Sequence, residues 1–339
     1  MLRGQCRTWG DRISAAVYVP YIKGFGAASL ETKAVNGSSI EDIVAFLDEF
    51  HEKLEEEIGA CALDLELVME KFNSWDDENV TLYPFNALRN RALMLAKTEA
   101  IVLLDVDFLP SQSLPKTYQN KPASYADLLH VLVKEKAAYV LPAFETQKQG
   151  TDGRVIAKGV AKGGKMAAVD AWNSGNVAGF QVSQYPAGHS PTKFEKWMST
   201  DTPYDIEYLK GFEPYIMISR RYVPWYDERF RGYGRDKIVH LTHLAEQLKI
   251  KMRVHGSGFV IHSPHAKSST FKTTKETGQW DALLDLYVRI RRDISIREFV
   301  PVTSFAKHCL HHITSGTIAS IRKKKLKSLR DKRNRKIKT

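Results

Sequence analysis

Two carboxylates one residue apart, Asp105 and Asp107, are the side chains with the clearest chemical potential in this chain, and they close the apolar run Ala100 to Leu104. Residues i and i+2 of a strand point the same way, so both carboxylates are expected to reach one hard divalent cation. Such a cation suits the diphosphate of a nucleotide. The apolar run reads as a buried parallel strand, whose carboxyl end opens into a crevice where ligands bind. Alone, an Asp-x-Asp is usually a solvated loop; its place at the end of an apolar strand argues for more.

Two further clusters could act with it. Phe259-Val-Ile-His262-Ser-Pro-His265 reads as a short strand ending in a histidine, stopped by proline and followed by a second histidine. A single strand-end histidine is ordinarily structural. Joined to the aspartates, His262 completes a set of two carboxylates and one imidazole, with His265 as the alternative ligand. That set suits Mn²⁺ or Mg²⁺, and the imidazole favours manganese. Zinc would call for more nitrogen or sulfur ligands. The other cluster is Tyr226 to Lys237, YDERFRGYGRDK, where Gly232 and Gly234 let the backbone approach a ligand closely. Asp236 follows them, either as a general base toward a sugar hydroxyl or as the first-turn acid of a helix over 237–248. Trp172, Trp197, Tyr204, Phe212, Tyr215, Trp225, Tyr226, Phe230 and Tyr233 crowd the second half. They could stack on sugar rings, but ordinary core is the default for most of them.

The elements that must position these groups alternate between strand and helix. Strands are expected at 13–20, 62–72, 100–104, 137–144, 214–219 and 258–262. Helices are expected at 40–59 (with Ser39 and Asp42 at its start), 84–96, 125–136, 237–248 and 280–292. This order implies an α/β fold with a mainly parallel, twisted sheet flanked by helices. Thr146 to Lys165, rich in Gly and Lys, reads as a surface loop. No repeat or long linker divides the chain, so residues 1–321 form one domain.

The net charge of +11 resolves into two parts. Residues 322–339 hold eleven Lys and Arg against Asp331 alone, while the rest of the chain is nearly neutral. This basic tail reads as disordered and solvated, with contact to anionic surfaces as its functional alternative. Nucleic-acid binding through it is a minor reading. No stretch reaches the ~20 apolar residues of a membrane span, and MLRGQCRTWGDR lacks the apolar core of a signal peptide. Cys6, Cys61 and Cys309 have no metal-type spacing and read as buried free thiols, although one bridge is allowed. Asn36-Gly37-Ser38 and Asn79-Val80-Thr81 fit the glycosylation pattern.

Seven ordered blocks carry a resemblance: YPFNALRNRAL (83–93), LLDVDFLP (103–110), VLPAFET (140–146), GHSPTKFEKW (188–197), FEPYIMISRR (212–221), YDERFRGYGRDK (226–237) and FVIHSPHA (259–266). Over about residues 5 to 270 the chain resembles glycosyltransferase family 49, metal-dependent enzymes of the GT-A fold that include a β-1,4-glucuronyltransferase and the C-terminal domain of the LARGE proteins. The resemblance implies an inverting transfer from a UDP-sugar to a glycan or glycoprotein acceptor in the Golgi lumen. UDP-glucuronic acid is the first choice of donor and N-acetylglucosaminyl transfer the second. It implies Asp105, Asp107 and His262 (second choice His265) around Mn²⁺ or Mg²⁺. Asn86, Arg89, Asn90, Asp105 and Glu145 would hold the donor, His189, Glu213 and Tyr215 the acceptor, and Asp236 would be the base. The family usually has Trp-Asn-Lys where this chain has Arg235-Asp236-Lys237. Its first strand would precede Met1, with Gln5 to Trp9 ending the helix that follows. A catalytically inactive, glycan-binding protein of the same fold is the alternative.

Overall fold

A computed structural model describes residues 1–23, 32–34, 39–57, 59–73, 82–266 and 274–304. The basic tail, Cys309, both glycosylation tripeptides and most of the segment 302–321 lie outside these residues.

Three sheets organise the described residues. The first has the order β2-β1-β3, formed by β1 (Ile13–Lys23), β2 (Thr32–Ala34) and β3 (Leu63–Phe72). β1 and β3 run parallel over ten residue pairs, from Ile13↔Leu63 to Ile22↔Phe72. The second, of order β4-β10-β6-β11-β9, takes β4 (Ala100–Leu103), β6 (Ala137–Leu141), β9 (Tyr204–Ile206), β10 (Tyr215–Ser219) and β11 (Lys251–Val254). The third, β5-β12-β7-β8, takes β5 (Phe108–Pro110), β7 (Ala143–Thr146), β8 (Val177–Gly179) and β12 (Val260–His262). The α/β reading holds, but strand orientation is mixed: the parallel pairs among the described residues are β1–β3, β6–β11 and β7–β12. Ser39 caps the helix Ile40–Glu55, its hydroxyl accepting from the Asp42 amide at 3.0 Å.

Two expected elements change form. The run Ala137 to Phe144 is two strands, because Pro142 has no amide to donate and the chain there passes from the second sheet to the third. The segment expected as a loop, Thr146 to Lys165, is mostly helix, within Gly150–Asn173. Its buried stripe is Gly153, Ala157, Val160, Ala161, Gly164 and Ala168, a helical period written in residues too small to register as apolar. A side chain on Gly153 would sit 2.2 Å from the Lys148 carbonyl and 2.6 Å from Pro264, so the glycine lets the helix press on the His262–His265 loop. At Gly164 (φ 69°) the helix breaks, and the Ala161 carbonyl accepts from the Gln112 amide at 2.8 Å.

The cysteine reading is also corrected. Cys6 and Cys61 form a disulfide, joining the helix Leu2–Trp9 to the approach of β3, with both residues buried against Leu54 and Leu63.

Candidate active site

β4 ends at Leu103 and β5 begins at Phe108, so Asp105-Val106-Asp107 spans the passage between the second and third sheets. It is a turn and not a strand end, closed by the Phe108 amide donating to the Asp105 carbonyl at 3.2 Å. Gln5 clamps it from the N-terminal helix, its amide donating to the carbonyls of Asp105 (2.8 Å) and Phe108 (2.9 Å). The same-side geometry expected of a strand is therefore lost, and the two carboxylates diverge.

Asp105 turns into a cationic socket. Arg89 donates to one oxygen at 3.0 Å, while Lys237 and the Tyr215 hydroxyl donate to the other, each at 3.0 Å. Burial opposes the charge on Asp105, but Lys237 and Arg89 outweigh it and hold the carboxyl far below the usual range. Arg89 is fully engaged: it also donates to Asn86 at 2.9 Å and to Asp236. Lys237 donates to the Tyr215 hydroxyl at 3.1 Å and lies 4.5 Å from its ring centre. Beneath, His189 stacks on Tyr215 with centroids 6.2 Å apart. Burial, and then Lys237, push His189 down to about 3, so it is neutral at physiological pH.

Asp107 faces the histidines. Its Oδ2 lies 3.1 Å from His265 Nε2 and 3.4 Å from His262 Nε2. Among the described residues, its buried Oδ1 has no hydrogen-bond partner. The three side chains can offer ligand atoms all within 4.8 Å of one another. His265 Nδ1 lies 2.6 Å from the Ala266 carbonyl. An Nδ1–H donated there leaves a neutral ring with its Nε2 lone pair facing a carboxylate, which a proton or a metal cation must reconcile. Burial raises the Asp107 carboxyl, but hydrogen bonding to His262 prevails and the net shift is downward. An orphaned carboxylate oxygen and two convergent imidazoles fit a divalent cation that takes both oxygen and nitrogen ligands. Both histidines thus join this group, and Asp105 does not.

The remaining expected residues divide by burial. Asn86 (1% exposed) and Asn90 (0%) have no face for a donor. The Asn86 amide donates to the Asp227 carbonyl at 2.7 Å. Asn90 donates to the Tyr226 carbonyl and to Glu228, and accepts from the Tyr226 amide. They staple the helix Phe85–Leu95 to the loop that delivers Lys237. Tyr215 and His189 are likewise floor beneath the site, each 3% exposed. Glu145 pairs with His262 across β7 and β12, and burial raises its carboxyl. Beyond it opens a cleft of roughly 510 Å³, walled by Trp172 and Phe194 and edged by Gln147, Gln149 and Glu195, a volume typical of ligand sites. Of the aromatic set, Trp197, Tyr204, Phe212, Tyr215, Tyr226 and Phe230 are core, while Trp225 and Tyr233 are exposed.

Two carboxyls could take a proton. Asp236 is the first residue of the helix Asp236–Thr242 and its carboxylate is spent on Arg89. Glu213, whose amide donates to the Gly188 carbonyl at 3.1 Å, carries no hydrogen bond on its carboxyl among the described residues. Burial pushes it up to about 7, against the pull of Lys237. Lys237 and Gln5 were not singled out from sequence. The signal for Lys237 was its place one residue into the helix after the glycines; Gln5 offered none.

A family model described as glycosyl-transferase for dystroglycan matches residues 1–282. Human "Xylosyl- and glucuronyltransferase LARGE2" is 34% identical over 215 residues, 63% of this chain and 28% of its own length. Mouse "Xylosyl- and glucuronyltransferase LARGE1" is 34% identical over 197 residues, covering 57% and 24%. "Xylosyl- and glucuronyltransferase LARGE2s" of Danio rerio is 36% identical over 186 residues, covering 55% and 23%. The chain thus spans about a quarter of the length of these curated relatives.

Proposed function

This chain belongs to the family of glycosyl-transferases for dystroglycan, and on that premise we propose that it transfers a sugar from a UDP-sugar to a glycan hydroxyl, with inversion. The observation that carries the reading is the division of labour across one turn: Asp105 fixed among cations, and Asp107 free to meet two histidines. The relatives' names favour glucuronyl transfer, with xylosyl transfer beside it; N-acetylglucosaminyl transfer is the remaining choice. Golgi lumen is the proposed compartment. The Cys6–Cys61 disulfide suits such an oxidising space, and no described helix is long and apolar enough to cross a membrane.

Asp107, His262 and His265 would hold the divalent cation, Mn²⁺ by preference, which when bound neutralises charge on the departing diphosphate. The chain's own groups do the rest. Arg89 and Lys237 keep Asp105 ionised and rigid, so the turn before Asp107 holds one geometry. Glu213, and not the engaged Asp236, is the better base, since a carboxyl near neutrality both accepts a proton and remains partly ionised at pH 7. In the transfer, the acceptor oxygen bonds to the sugar's anomeric carbon as the bond from that carbon to the diphosphate oxygen breaks. The acceptor's proton passes to Glu213.

Release of UDP from UDP-glucuronic acid, UDP-xylose and UDP-N-acetylglucosamine, with a glycan acceptor and Mn²⁺, Mg²⁺ or Zn²⁺, tests the reading. Turnover with Mn²⁺ that falls at least a hundredfold in a folded Glu213→Gln variant is expected. An Asp236→Asn variant that falls as far while Glu213→Gln keeps full activity would return the base to Asp236. A folded protein that binds neither UDP nor metal would favour an inactive glycan-binding role.

A further inference from the structure

Lys237, Arg89, Lys165 and Arg235 are cations that could meet an anionic sugar. Lys237 is bound to Asp105. Arg89 is committed to Asn86, Asp105 and Asp236. Lys165 is committed to the Gly256 carbonyl at 2.8 Å and to Asp201 at 2.9 Å. Arg235 differs. Its guanidinium is held between rings, 4.9 Å from the centre of Tyr287 and 5.9 Å from that of Trp280. Among the described residues it donates to no carboxylate or carbonyl. Such a fork has five N–H donors, and stacking orients it without using them.

Its place in the chain sets it at the site. Arg235 adopts the left-handed conformation (φ 64°) directly before Asp236 and Lys237, the partners of Arg89 and Asp105. Gly234, at φ 115°, precedes it. Burial raises the Tyr185 hydroxyl, the Glu213 charge adds to this, and the Arg235 charge opposes it. A side chain on Gly188 would sit 2.8 Å from the Tyr185 ring and 3.6 Å from a Glu213 carboxylate oxygen, so both residues converge on that glycine.

We propose that Arg235 reads the carboxylate of a uronic acid bound beside Glu213 and Lys237, and so selects an anionic sugar over its neutral counterpart. This rests on the sugar-transfer reading above. A guanidinium grips a carboxylate through two parallel N–H···O bonds, which a hydroxymethyl group cannot match. The carboxylate can belong to the donor sugar or to the terminal sugar of the acceptor.

Calorimetry on the full chain with Mn²⁺ separates these sources. UDP-glucuronic acid and UDP-glucose differ only at C6, and a glucuronate-ended and a glucose-ended disaccharide make the matching acceptor pair. The wild type is expected to prefer the uronate member of at least one pair by about tenfold or more, and Arg235→Gln to abolish that preference. Binding of UDP alone should change less than twofold. Loss in the donor pair or in the acceptor pair supports the proposal and identifies the source. Should Arg235→Gln melt early, Arg235→Lys carries the test; it keeps the charge without the fork and should lose most of the preference. Unchanged uronate preference in either folded variant, with UDP binding intact, overturns the proposal. If UDP fails to bind the wild type, the sugar-transfer reading falls, and this inference with it.

Discussion

His255 should make this protein lose stability in acid, by an amount that can be worked from its contacts. The residue is 5% exposed. Its Nδ1 accepts the amides of Gly258 at 2.7 Å and Ser257 at 3.1 Å, so the ring proton must sit on Nε2, 2.8 Å from the Tyr118 hydroxyl. A second proton on Nδ1 would face two N–H donors. Burial, and then the nearby Lys165 charge, push His255 down to about 4. The unfolded chain binds that proton near pH 6.5. Between these values the unfolded state takes a proton the folded state refuses, so stability falls as pH drops from about 6.5 to about 4. The slope is about 1.4 kcal/mol per pH unit and the full loss about 3.4 kcal/mol. His255→Asn keeps an acceptor for the Gly258 amide and removes the titration. It should be less stable at pH 7, because the ring's packing against Tyr139 and Tyr118 is lost. The informative quantity is the change between pH 7 and pH 5, measured by urea unfolding. The wild type should lose about 2 kcal/mol more than the variant over that interval. Buried His189 and His243 titrate alike in both proteins and cancel. Equal losses in the two proteins would refute the reasoning.

Two further perturbations test the supports of the site. Cys6→Ser opens a link that spans 55 residues of chain. Loop entropy sets the loss at up to about 4 kcal/mol, and a urea midpoint unmoved by the substitution would deny the disulfide a stabilising part. Lys237→Met leaves the half-buried Asp105 with Arg89 and Tyr215 alone, and should cost about 2 kcal/mol. A cost below about 1 kcal/mol would mean that Lys237 contributes no more than a surface ion pair.

The chain's residues announced β1, β3, β4, β10 and β12, whose apolar runs carry their own period, and read β6 and β7 as one strand, but the short β2, β5, β8, β9 and β11 went unread. They also announced the four groups Asp105, Asp107, His262 and His265. What they did not carry was direction. Asp105 and Asp107 read as a same-side pair only while the strand was taken to continue, and Leu103 ends it. The partners that decide their roles, Arg89 and Lys237, lie 16 and 132 residues away, distances over which local spacing is silent. Asn86 and Asn90 resembled ligand contacts because amides serve both ligands and loops; only their burial shows the loop role. The helix Gly150–Asn173 was hidden for a different reason, its packing stripe being built from Gly and Ala. Asp236, legible as either base or helix start, does begin a helix and ties down Arg89, and the Glu213 and Asp236 variants test its part as base.

Asp107, His262 and His265 are the proposed ligands of the metal ion, and Asp105 is not among them. Manganese titration followed by electron paramagnetic resonance tests this most directly. One tightly bound Mn²⁺ per chain is expected, weakened at least tenfold in Asp107→Asn and in His265→Ala. In Asp105→Asn, paired with Lys237→Met to keep the socket neutral, the ion should still bind. Loss of Mn²⁺ in that double variant, with binding retained in His265→Ala, would contradict the account and restore the two aspartates as joint ligands.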